Sequence, residues 1–108
     1  MIDISVRKIA QVILMSRELD RAEAELRAFI DRLTEEEQVS LVAVMWIGRD
    51  SFARDELEEA KATARDEATT PTADYLLGTP HLSDHLENGL DELGLSAVDD
   101  EDDLMRGG

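Results

Sequence analysis

An all-α fold, a compact bundle of about six helices over residues 1–95 followed by a disordered acidic tail over 96–108, is the architecture expected of this sequence. Three observations point to it. Hydrophobic residues make up 43% of the chain and aromatic ones only 4%, which suits an aliphatic helical core better than a β sandwich. Apolar residues recur at three-and-four spacing in successive windows, most of them bounded by capping or breaking residues. The 108 residues include no cysteine, so no disulfide framework is available and stability must come from packing in one domain.

Ser5 is placed to cap a first helix running to Leu19, with Val6, Ile9, Ala10, Ile13 and Leu14 on its core face and Val12 and Met15 widening that face. A second helix follows near Asp20, continuous with the first or kinked from it, and carries Ala22, Leu26, Phe29, Ile30 and Leu33 as one stripe. Thr34-Glu35-Glu36-Glu37 has the form of a capping box and starts a third helix. That helix is apolar on nearly every side from Val39 to Ile47, which predicts a central position. A strand is the competing reading of so short a run; the explicit cap and Gly48, suited to a left-handed helix end, favour helix.

A fourth helix is expected over Ala53 to Ala68, turning Leu57, Ala60, Ala64 and Ala68 inward. Thr70-Pro71 and Gly78 bracket a short fifth helix. Thr79 as cap and Pro80 in the first turn then open a sixth, whose ridge is Leu82, Leu86, Leu90 and Leu93 and whose stop is Gly94. Beyond it, Asp99-Asp100-Glu101-Asp102-Asp103 and a diglycine end bury too little surface to offset ordering.

The formal charge is −15, and it is unevenly distributed. Residues 1–33 hold six basic and six acidic side chains, whereas 34–108 hold five basic and twenty acidic. Direct nucleic-acid binding is disfavoured on that balance, as is an anionic membrane surface. The amino terminus has no signal-like basic and apolar segments, and the longest apolar run, Leu41 to Ile47, is far short of a membrane span. A cytoplasmic protein is expected. First and third helices this apolar leave monomer and homodimer both open, because a second copy would cover surplus apolar surface in so small a domain.

Three segments, Glu37 to Arg49, Thr72-Ala73-Asp74-Tyr75-Leu76-Leu77-Gly78-Thr79-Pro80 and Leu86-Glu87-Asn88-Gly89-Leu90, carry a resemblance reaching from Ser5 to about Leu95. Together they resemble one bacterial family, the uncharacterised domain of unknown function (DUF) 3775. The resemblance implies no biochemical activity. This chain departs from the family's pattern in the short stretch between its first two helices and in having histidine at positions 81 and 85.

Candidate sites are few. His81 and His85, one helical turn apart with Glu92 further along the stripe, are the best metal-ligand geometry in the chain, set against a reading in which one flanks the core and the other is exposed. Arg49, after the third helix, is suited to fork onto a carboxylate or phosphate, or to pair locally with Asp50, Asp55 or Glu56. Asp74 and Tyr75, with Thr79, form a corner between two prolines that can present a carboxylate and a phenol to a ligand; the plainer reading has Tyr75 filling the core with its hydroxyl on a backbone partner. No catalytic residue is assigned, since no nucleophile elbow, phosphate loop or dinucleotide fingerprint occurs, and no cofactor is expected. The diglycine end resembles that of ubiquitin-like modifiers, which have a β-grasp body instead of a helical one. The expected role is a non-catalytic protein-interaction or regulatory module with an unidentified protein partner. The alternatives are a small metal-binding protein or metal-dependent enzyme using His81 and His85, and an acidic mimic of nucleic acid.

Overall fold

The structure, a computed structural model, describes residues 1–95; the expected acidic tail lies outside the described residues. Six helices and one 3-10 turn follow one another: α1 (Val6–Arg17), α2 (Leu19–Arg32), α3 (Glu35–Gly48), the turn Arg54–Glu56, α4 (Leu57–Asp66), α5 (Thr72–Leu77) and α6 (Leu82–Glu92). Among the described residues there is no strand, and no helix is long and apolar enough to cross a membrane.

The amino-terminal half follows its local signals. The Ser5 hydroxyl accepts a hydrogen bond from the backbone N–H of Lys8, closing one of the free donors at the start of α1. The chain breaks at Glu18 (φ −118, ψ 43), so α1 and α2 are separate helices. Their apolar faces differ slightly from expectation. Val12 is fully buried, whereas Leu14 is 50% exposed, because α1 packs against both α2 and α6 and its buried arc is rotated toward Ile9, Val12 and Ile13. Thr34 and Glu37 form the reciprocal capping box at the start of α3, and the Gln38 amide donates to the Ile30 carbonyl at 2.8 Å, tying the end of α2 to that start.

Nine of the fourteen residues of α3 are buried, as an all-round apolar helix requires. It packs most extensively on α6 and next on α4, while α1 bridges α2 to α6 and α2 reaches α5. The centre is thus shared by α3 and α6.

Gly48 does not end α3 in a left-handed conformation. Asp50 does so (φ 66): the Ser51 N–H reaches the Trp46 carbonyl and the Asp50 N–H the Ile47 carbonyl, a Schellman closure with aspartate at the usual glycine position. Gly48 is needed for space instead. A Cβ there would stand 1.7 Å from the His85 carbonyl oxygen, and one on Gly89 would stand 2.2 Å from that of Val44. The two glycines let the α3 and α6 backbones touch, antiparallel, at Val44 to Gly89 and Gly48 to His85.

Two further boundaries differ. The expected fourth helix divides into the 3-10 turn and α4, and it stops at Asp66, so Ala68 is exposed in the following loop instead of facing inward. Thr79 does not cap α6: its hydroxyl donates to the Tyr75 carbonyl at 2.8 Å, completing the end of α5. The residue before α6 is His81, itself left-handed (φ 59), and Pro80 sits in the turn ahead of it. Gly94 (φ 75) ends the Leu82, Leu86 and Leu90 ridge as expected.

Candidate functional site

A cleft lies beside α3, between the end of α4 and the loop into α5. Val42 and Trp46, one turn apart, form its floor, Ala64 and Ala68 one wall, and Thr69, Thr70, Thr72 and Tyr75 the other, around a volume of about 250 Å³. It continues along the same loop into a second depression of about 410 Å³ reaching Val39, Gln38, Glu35 and Arg65.

Trp46 is held there from two directions. Its ring stacks on Phe52, with centroids 5.7 Å apart and planes at 25°, and its Nε1 donates to the Tyr75 hydroxyl at 2.8 Å. Tyr75 is 36% exposed, so it does not fill the core, and its hydroxyl partner is an indole and not a backbone group. The reason is positional: on α5 the inward residues are Ala73 and Leu76, which leaves Tyr75 turned to the rim. Three of the four aromatic side chains in the chain therefore gather at one partly exposed place.

Charge at the cleft is mostly acidic. Glu67 lines the first depression and Glu35 the second, and among the described residues neither is engaged in an ion pair. The cation at the margin, Arg65, is paired with Glu36 at 2.7 Å. Other acids of the downstream half borrow cations from the balanced amino-terminal half: Arg17 pairs with Glu87, Lys8 with Glu37 and Arg27 with Asp74. The hydrogen bond to Asp74 raises the pKa of Arg27, and the one from Lys8, with the backbone bond at Thr34, lowers that of Glu37.

The other candidate residues do not converge. Asp74, neighbour of Tyr75 in sequence, is turned to α2 by its Arg27 partner. Arg49 makes no ion pair among the described residues; its Nε donates to the Ser51 hydroxyl at 3.1 Å on the exposed surface. The His81 and His85 rings stand edge to face with centroids 6.5 Å apart. Because His81 is left-handed and precedes α6, the two are not successive turns of one helix. Glu92 is elsewhere, beside Ala53, Arg54 and Asp55. Among the described residues no three His, Asp or Glu side chains are grouped so as to hold a metal ion.

With that geometry in view, a family model described as a protein of unknown function (DUF3775) matches residues 23–95. The chain belongs to this family. The DUF3775 match takes in most of α2, all of α3 to α6 and the whole cleft, and it starts later than the resemblance from Ser5, leaving α1 outside. No curated protein and no solved structure matches the chain.

Lys61 is a residue that sequence reasoning passed over. It is buried (8% exposed), and its Nζ donates to the Met1 carbonyl at 2.8 Å and pairs with Asp3 at 2.9 Å and Glu58 at 3.4 Å. Its spacing, four after Leu57 and three before Ala64, puts it on the inward stripe of α4 and was the signal available. Burial opposes its charge, but the hydrogen bonds to Asp3 and Glu58 outweigh burial and raise its pKa; Lys61 in turn lowers that of Asp3, while the Met1 amino group first and Lys61 second lower that of Glu58. A lysine so held stays protonated near neutral pH and serves as a clamp on the amino-terminal segment, with Ser40 bonding to Asp3 beside it. The cleft itself had no comparable signal, since it joins residues from α3, α4, α5 and a loop.

Proposed function

We propose that this chain is a non-catalytic protein-interaction module whose partner seats in the cleft over Trp46. The observation that carries this reading is the gathering of Trp46, Phe52 and Tyr75 at a partly exposed site, in a chain with four aromatic rings. Aromatic side chains bring large contact area at low entropic cost, and Trp and Tyr dominate the energetics of protein interfaces for that reason. The apolar floor and hydroxyl-bearing wall supply the burial and hydrogen bonding such an interface combines.

The test is affinity capture from the native host with wild type, Trp46→Ala and Tyr75→Ala, after circular dichroism has shown all three folded. A protein retained by wild type at high salt and lost with either variant is expected. Equal retention by all three overturns the reading, as does stoichiometric metal in the purified protein that is lost in His85→Ala. A second reading, a homodimer, is favoured by Leu14, half exposed on α1. Light scattering on wild type and Leu14→Lys checks it; a monomer in both removes it.

A further inference from the structure

We infer that the cleft takes a cationic segment of a partner protein, a short stretch in which lysine or arginine alternates with aliphatic or aromatic residues. This rests on the reading of the cleft as an interaction site and adds the chemistry of what occupies it. The argument is charge complementarity on an apolar floor. Val42 and Trp46 offer an apolar anchor, which calls for an apolar side chain opposite. Glu67 at one end and Glu35 at the other are unpaired among the described residues, so an incoming cation meets carboxylates already solvated and pays no cost of breaking an ion pair. An incoming anion would have to displace Glu36 from Arg65 and approach both glutamates. Within 34–95 four basic residues stand against fifteen acidic ones, so the surrounding field has the same sign as the cleft and steers cations toward it. The ring of Trp46 also attracts a guanidinium or ammonium.

Trp46 is the chain's one tryptophan, so its emission reports the cleft without labelling. The full chain is titrated with a mixture of short peptides alternating Lys or Arg with Leu, Ile or Phe, and with the counterpart mixture in which Glu replaces the cations. Saturable change in Trp46 emission with the cationic mixture and none with the acidic one is expected. Affinity should fall at least about tenfold in Glu35→Gln/Glu67→Gln and decline with added salt. Asp91→Asn/Glu92→Gln, which removes the same charge from a different depression, should stay within about twofold of wild type. Equal loss in the two double variants overturns the inference in favour of general electrostatic attraction. Saturation by the acidic mixture alone overturns the cationic occupant while leaving the cleft an interaction site. No emission change with either mixture overturns the inference, and the capture experiment with Tyr75→Ala then decides separately whether the cleft is an interaction site.

Discussion

Gly48 and Trp46 stand two residues apart on α3 and face different neighbours. On the Gly48 side the backbone of α6 is so near that a single added carbon meets the His85 carbonyl at 1.7 Å. On the Trp46 side α4 and the α5 loop stand back, and an indole with a stacked phenyl ring and a tyrosine hydroxyl occupies only part of the room. One helix thus carries a backbone-to-backbone contact on one face and a concavity on another. Close packing without side chains specifies the fold, and side chains without close packing leave a surface for something else. Stability and the proposed recognition are therefore separable here by choosing the face of α3 that is changed.

The largest effect is expected at the closed face. Gly48→Ala or Gly89→Ala places a Cβ against backbone atoms that cannot rotate away, and each should lower stability by about 3 kcal/mol in denaturant unfolding, despite alanine's better helix propensity. Near-neutral values would mean that the two helices separate freely, and the contrast between the faces would fail. The next is Lys61→Met, which leaves Asp3 and the Met1 carbonyl without their cation and should cost about 1 to 2 kcal/mol by thermal unfolding.

The pH profile sharpens the same point. Asp3, Glu37 and Glu58 have pKa values held below the ordinary carboxylate range, so their contribution is complete above about pH 5 and is lost as pH falls through the lowered values. Lys61 contributes fully below about pH 10 and loses its share as pH rises through its raised value. Unfolding midpoints should therefore fall off below about pH 4, and less steeply in Lys61→Met, where Asp3 loses its main partner while Glu58 keeps the Met1 amino group and Glu37 keeps Lys8. An unchanged acid limb in the variant would break the assignment.

Two smaller effects complete the comparison. Asp50→Gly relieves a left-handed aspartate at the end of α3 and should stabilise by about 0.5 to 1 kcal/mol. Tyr75→Phe removes the acceptor of the Trp46 Nε1 proton at a place water can reach, so it should cost no more than about 0.5 kcal/mol while shifting Trp46 emission. A large loss of stability from Tyr75→Phe would make the open face structural after all.

The sequence by itself determined what is local. Ser5 and the Thr34 to Glu37 box start helices because a hydroxyl needs only the amide three residues on. The all-round apolar character of α3 announced its burial, since no solvent-facing stripe is present in 39–47. Even the inward position of Lys61 was legible from its spacing. Tertiary structure alone decided which face met which neighbour. Gly48 has the composition of a helix end and serves instead as a point of contact with α6, because a missing Cβ fits a left-handed turn and a close crossing equally well. Thr79 has the composition of a cap for α6 and closes α5, since its hydroxyl reaches back to Tyr75. His81, His85 and Glu92 share a stripe only if one helix holds all three, and the left-handed backbone at His81 breaks that register. The cleft joins residues from Glu35 to Tyr75 whose proximity depends on how α4 and α5 dock on α3, and no short-range pattern encodes such docking, because packing energy comes from partners distant in the chain.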